Sequence, residues 1–189
     1  MLIRAALVLA LGVLLPGYAA AQFFPPGTLS ESSASWYSKR LSTMDEPSLW
    51  KMATEKAPET YRFTWLRSFH APFVFRLEVR ADKTGSLVVK STSHKGGDAR
   101  LVLNKSIPLE LVQVQRFTSA LGKVGFWNLP TNDLSQSGLI GTDGAQWVFE
   151  GVKGDRYHVI DRWSPKGGMF RKLMLDLVAL GGVRGEAIY

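Results

Sequence analysis

The order of periodicities along this chain predicts an α+β domain, with a mainly antiparallel sheet of about six strands and two to three helices packed on one face. Three observations carry that expectation. Four segments of period two follow one another between Tyr61 and Ile107. Two more flank a turn at Gly154, and single apolar stripes of helical period separate or follow these groups. A parallel sheet would need regular strand–helix alternation, which this order does not provide.

The chain opens with Arg4, an apolar run from Ala5 to Leu15, a Pro16-Gly17 break and the small residues Ala19-Ala20-Ala21. That run is too short to span a bilayer, which takes roughly 20 apolar residues. The pattern is that of a secretory signal over residues 1–21, cleaved after Ala21. Gln22 to Ser35 is rich in Pro, Gly and Ser, and residues 22–44 are expected to form a flexible leader. Residues 45–189 are expected to fold as a single globular domain. Asp45-Glu46-Pro47-Ser48 reads as a helix start with Asp45 as N-cap; Leu49, Met52 and Ala53 share a side, and Pro58 stops it.

From Tyr61 the period becomes two. Tyr61, Phe63, Trp65, Arg67 and Phe69 fall on one strand face, with Arg62, Thr64, Leu66 and Ser68 on the other. Ala71-Pro72 breaks the run. Phe73, Phe75, Leu77 and Val79 alternate with Arg76, Glu78 and Arg80 in a second strand. Asp82-Lys83-Thr84-Gly85 is a turn in which Gly85 is expected to take positive φ, and Ser86–Thr92 returns antiparallel. A loop at Lys95–Asp98 leads to a fourth strand, Arg100–Ile107. Pro108 is expected to open a helix with a stripe of Leu111, Val114, Phe117, Leu121 and Val124, ended by Gly125. Phe126–Pro130 is an aromatic plug and Thr131–Gly141 a polar loop. The hairpin Gly141–Pro165 follows, then a last helix striped by Phe170, Leu173, Met174, Leu177 and Val178, with Gly181-Gly182 as C-cap.

Composition bounds the function. An apolar fraction of 46% and a charged fraction of 21% are those of a globular protein. With no cysteine, thiol chemistry, disulfides and lipid attachment to cysteine are excluded, and core packing must hold the chain together. The net charge of +7 is spread rather than clustered, so no nucleic-acid partner is expected. A mildly basic surface is compatible with acidic envelope polymers. No later apolar stretch is long enough to anchor the mature chain stably in a membrane. The three histidines, His70, His94 and His158, lie far apart and lack partners at metal-ligand spacing, so no metal and no cofactor are expected. Nucleophile-elbow, phosphate-loop, dinucleotide and zinc-protease motifs are absent.

In the Gly141–Pro165 hairpin, a two-residue turn at Lys153-Gly154 or Gly154-Asp155 places Trp147, Phe149, His158, Ile160 and Arg162 on one face. Gln146, Val148, Glu150, Tyr157, Val159, Asp161 and Trp163 then share the other. Arg162 is read first as a cation–π or ion-pair anchor beside Trp147. Asp143-Gly144 serves the turn into the strand. The candidate binding residues are Asp143, Asp161, Arg162 and Trp163, with Arg67 and His70 as neighbours from the first strand; no catalytic residue is assigned.

Pro47-Ser48-Leu49-Trp50, Tyr61-Arg62-Phe63, Trp65-Leu66-Arg67-Ser68-Phe69-His70, Phe126-Trp127-Asn128-Leu129-Pro130, Asp143-Gly144-Ala145-Gln146-Trp147 and Tyr157-His158-Val159-Ile160-Asp161-Arg162-Trp163-Ser164-Pro165 together resemble a family of small, uncharacterised bacterial exported proteins. The likeness covers roughly residues 47–180, and the last two motifs are the most specific. It implies a bacterial exported domain, periplasmic or secreted, and no mechanism, because the family carries no assigned reaction.

Three functional classes follow. The first is a non-catalytic exported module that binds an envelope polymer, a small ligand or another exported protein, with the six tryptophans as stacking surfaces. The second is a hydrolase built on Glu150, Asp161 and His158, which requires those groups to converge in a cleft. The third is a structural or inhibitor-like protein that uses a sheet face, favoured by an unpaired strand edge.

Overall fold

The computed structural model describes residues 22–55, 57–93, 99–133 and 143–189. The expected signal segment, His94 with the Lys95–Asp98 loop, and most of the Thr131–Gly141 loop lie outside these residues. In chain order the elements are α1 (Glu31–Thr43), α2 (Leu49–Thr54), β1 (Thr60–Arg67), β2 (Phe73–Val79), β3 (Gly85–Thr92), β4 (Leu101–Leu109), α3 (Leu111–Val124), β5 (Ala145–Lys153), β6 (Arg156–Trp163) and α4 (Gly168–Leu180). A single 3-10 turn, Phe126–Asn128, follows α3. The fold is α+β, and the six strands form one antiparallel sheet in the order β4-β3-β2-β1-β5-β6.

Both faces of the sheet are covered. On one face α3 contributes Val114, Phe117 and Leu121, and α4 contributes Leu173, Met174, Leu177 and Val178. They pack on Tyr61, Phe63 and Trp65 of β1, Phe73 and Phe75 of β2, and Trp147 and Phe149 of β5. Phe63 sits at the centre, its ring 5.9 Å from Phe75 and 5.1 Å from Trp147. The Phe126 plug closes one end against Phe149 at 4.9 Å. Its ring approaches the β5 backbone so closely that a Cβ at Gly151 would lie 2.7 Å from it and 2.9 Å from Tyr61, so the position has room only for glycine.

The opposite face departs from expectation. Residues 22–44 are not a flexible leader: Ser30 caps α1 by accepting from the Ser33 amide at 3.1 Å, and Phe23, Phe24, Leu29, Tyr37, Leu41 and Met44 are buried on Leu66, Val74, Val148 and Val159. Leu49 and Ala53 of α2 cover Val152 in the same way. The helices therefore lie on two faces rather than one, and four α-helices are present among the described residues rather than two to three. All eight residues of β1 are buried, as a central strand sandwiched between two helical layers requires.

Smaller corrections concern caps. Ser48, not Asp45, caps α2 by accepting from the Lys51 amide, and Asp45 adopts positive φ in the linker before it. In the β2–β3 turn positive φ falls on Lys83, while Gly85 begins β3 beneath Val114. Pro108 remains in β4; Glu110 caps α3, with its backbone amide donating to Gln113 at 2.9 Å, and Gly125 ends that helix at φ 69° as expected.

Candidate functional site

Gly154-Asp155 makes the turn of the last hairpin, with Gly154 at φ 62° and Lys153 opposite Arg156. This selects the second of the two expected registers, with Glu150 opposite Val159. The face division stands: Trp147 pairs with Arg162 and Phe149 with Ile160, while Val148 pairs with Asp161 and Gln146 with Trp163.

The register brings two arginines and a carboxylate side by side. Arg62 lies directly opposite Arg76 on β2 and directly opposite Glu150 on β5. Like charges across a strand pair repel, and here two carboxylates resolve the conflict. The Arg62 guanidinium donates to Glu150 Oε2 at 2.6 and 2.8 Å. Glu46, from the α1–α2 linker, accepts from Arg76 Nε at 2.9 Å and lies 3.0 Å from Lys90 Nζ and 3.5 Å from Arg62. Tyr157 donates its hydroxyl to the other oxygen of Glu150 at 2.9 Å. Burial works against the Arg62 charge, but Glu150 and Glu46 outweigh it and raise its pKa above the ordinary value. Lys90 also donates to the Met44 and Asp45 carbonyls, and Arg62 to the Pro47 carbonyl, so the network pins the linker between the helices. Glu150 is fully buried, with Arg62 on one oxygen and Tyr157 on the other. It is a structural charge.

Asp161 is buried on the same face. It accepts from the Tyr37 hydroxyl at 2.8 Å and from the side-chain amide of Gln146, which ties α1 to the outer strands. Burial raises its pKa despite those two donors. Because the folded state then holds the proton more tightly than the unfolded chain, this group's contribution is fully present at low pH. It is lost as pH rises through the folded pKa. Asp161→Asn, isosteric and without the buried charge, is expected to melt at or above wild type at pH 7. The relative gain should shrink as pH falls through the carboxylate range; a gain that grew on acidification would contradict this.

His158 projects to the other face. Its ring Nε2 donates to the Leu129 carbonyl at 2.8 Å, it packs edge-on against Phe126, and burial lowers its pKa. Glu150, Asp161 and His158 therefore do not converge. Arg162 is not stacked on Trp147 as expected; it donates to the Pro130 and Thr131 carbonyls at 2.8 and 2.7 Å, fastening that loop to β6. The cation lying over Trp147 is Arg171, at 5.9 Å. Asp143 is exposed before β5 and is not part of the lining of the cleft described next.

The remaining three candidates meet. A cleft of about 410 Å³ opens where β1 ends, with Leu66 and Arg67 in its wall, and Ser68 and His70 from the following turn. Trp163 at the end of β6 forms one side, Trp36 and Arg40 of α1 another, and Ser93 closes it beyond β3. The guanidinium of Arg67 serves structure, donating to the Ala71 carbonyl at 2.6 and 3.1 Å and to Glu186 at 2.5 Å, and lying 4.6 Å over Trp65. His70 is held at the rim by its Nδ1, 2.6 Å from the Tyr189 hydroxyl. Trp163 lies against the start of β5, where a Cβ at Gly144 would stand 2.5 Å from the indole, so this second glycine makes room for the ring. Trp36 is 43% exposed, whereas Trp65 and Trp147 are fully buried. Arg40 is half-buried and makes no ion pair or side-chain hydrogen bond among the described residues. No acidic side chain among the described residues lines the cleft.

Trp36, named only as one of six tryptophan stacking surfaces, and Arg40 were not assigned to a site from the sequence, nor were the buried charges Glu46, Arg62 and Lys90 or the partly buried Arg76. The signal for the first two was present: Tyr37 and Leu41 stand at helical spacing after the Ser30 cap, within a stretch whose Pro and Gly content masked it. Among the described residues no group of three or more His, Asp and Glu could hold a metal ion, and no helix is long and apolar enough to cross a membrane. No protein-family model matches the chain, and a search of curated proteins finds no match.

Proposed function

We propose that the protein is an exported, non-catalytic binding module and that its ligand seats in the cleft at the end of the sheet. The carrying observation is the placement of Trp36, 43% exposed, and the half-buried Trp163 in one concave place beside Arg40, which makes no ion pair or side-chain hydrogen bond among the described residues. Ligand sites commonly combine apolar or aromatic walls with a few directed polar groups. Residues 1–21 support export to a bacterial periplasm, and the cysteine-free composition is at home there.

Expression of the full chain in a bacterial host tests the export half: the periplasmic fraction should contain a chain whose mass begins at Gln22. Retention of the intact precursor in the cytoplasm would overturn it. For the binding half, Trp36→Ala should abolish retention of the protein on immobilised envelope material while shifting its melting temperature by no more than a few degrees.

The sheet-surface reading has one observation of its own. The outer edge of β4 is unpaired among the described residues, and Leu101 and Val102 beside it are 39% and 64% exposed. Unlike β4, β6 is bridged along its outer edge by Asn132. If Val102→Ser abolishes retention and Trp36→Ala does not, the edge rather than the cleft is the binding surface.

A further inference from the structure

Resting on the cleft as the binding site, we infer that its ligand is a carboxylate-bearing sugar, an acidic saccharide such as a uronate. The charge of the cleft points to an anion. Arg40 is half-buried and unpaired, His70 stands at the rim, and no carboxylate lines the wall among the described residues. A planar carboxylate matches the fork of donors that a guanidinium presents.

The same geometry disfavours a phosphate dianion. Arg40 lies in the last turn of α1, at the negative end of that helix's dipole, and among the described residues no helix N-terminus lines the cleft to compensate. One unpaired cation in that setting suits a monoanion. Trp36, 43% exposed, supplies a flat apolar face on which the C–H face of a sugar ring can lie, with the half-buried Trp163 in the neighbouring wall. Ser93 accepts from the Arg100 amide at 3.1 Å, so its hydroxyl proton remains to donate to a sugar oxygen. An extended peptide would instead need a free strand edge. Here the cleft lies across strand ends, and the β6 edge is occupied by Thr131 and Asn132, with the Asp161 amide donating to the Thr131 carbonyl at 2.7 Å.

The probes are digalacturonate, its methyl ester, a hexose 6-phosphate and an acidic tetrapeptide, each titrated into the full chain by calorimetry. Digalacturonate should bind, esterification should weaken it about tenfold or more, and Arg40→Ala should do the same with an unchanged melting curve. Arg40→Lys should recover part of the loss. Lys105→Ala, on the remote β4 strand, should change nothing. Binding of the hexose phosphate or the peptide with an Arg40 dependence, and none of the uronate, would overturn the ligand class while leaving the cleft as the site. Uronate binding indifferent to both Arg40→Ala and Trp36→Ala would overturn the cleft itself, and absence of any binding would overturn the acidic-sugar assignment.

Discussion

Arg62→Leu is expected to destabilise the protein by about 3–5 kcal/mol, read as a shift in the urea midpoint at constant slope, because it leaves the buried Glu150 carboxylate without its cation. Arg62 is fully buried and holds Glu150 through two bonds to one oxygen while contacting Glu46. Glu150 would keep only the Tyr157 hydroxyl, and Glu46 would keep Arg76 and Lys90. The double change Arg62→Leu with Glu150→Leu should lie closer to wild type than Arg62→Leu alone, since removing both partners of a buried pair is far milder than removing one. A loss below about 1 kcal/mol for the single change would mean that water reaches the pair, and the network would then not hold the α1–α2 linker.

Trp147→Ala should cost about as much, roughly 3–5 kcal/mol, through a different mechanism: a large cavity in a core that cannot collapse around it. Trp147 is fully buried between Phe63 and Trp65, carries Arg171 over its ring, and donates its indole N–H to the Tyr189 backbone oxygen at 3.2 Å. The loss of that bond should also release the segment that holds His70 at the cleft rim. Trp36→Ala, by contrast, removes a ring that is 43% exposed and should change stability by about 1 kcal/mol or less. The contrast separates the tryptophans that hold the fold from those available to a ligand.

The aromatic half of this fold is legible in the chain because periodicity reports it directly. Tyr61, Phe63 and Trp65, the α3 stripe and the shared face of Trp147 and Arg162 all follow from counting residues. The other half is hidden because polarity stands in for exposure in such a reading. Arg62, Thr64 and Glu150 alternate with apolar residues as a solvent-facing strand face would, yet α1 and α2 bury them. Neutralisation by Glu46 makes this possible, and Glu46 is close to Arg62 only in space. The same substitution of composition for structure turned Gln22–Met44 into a leader: Pro25, Pro26 and Gly27 obscure Phe23 and Phe24, which are core residues. Of the candidate site, Arg67, His70 and Trp163 were within reach from the strand ends they occupy. The partners from α1 were not, because nothing in the pattern places that helix over the end of β1.

Whether the protein meets its ligand in the cleft between α1 and the β1–β2 turn can be read from the six tryptophan indole N–H signals in an NMR titration with digalacturonate. The signals of Trp36 and Trp163 should shift in proportion to one another and saturate together, with Trp65 and Trp147 unmoved, and Arg40→Ala should suppress the shifts. Saturable binding that leaves Trp36 and Trp163 where they are would contradict binding in the cleft.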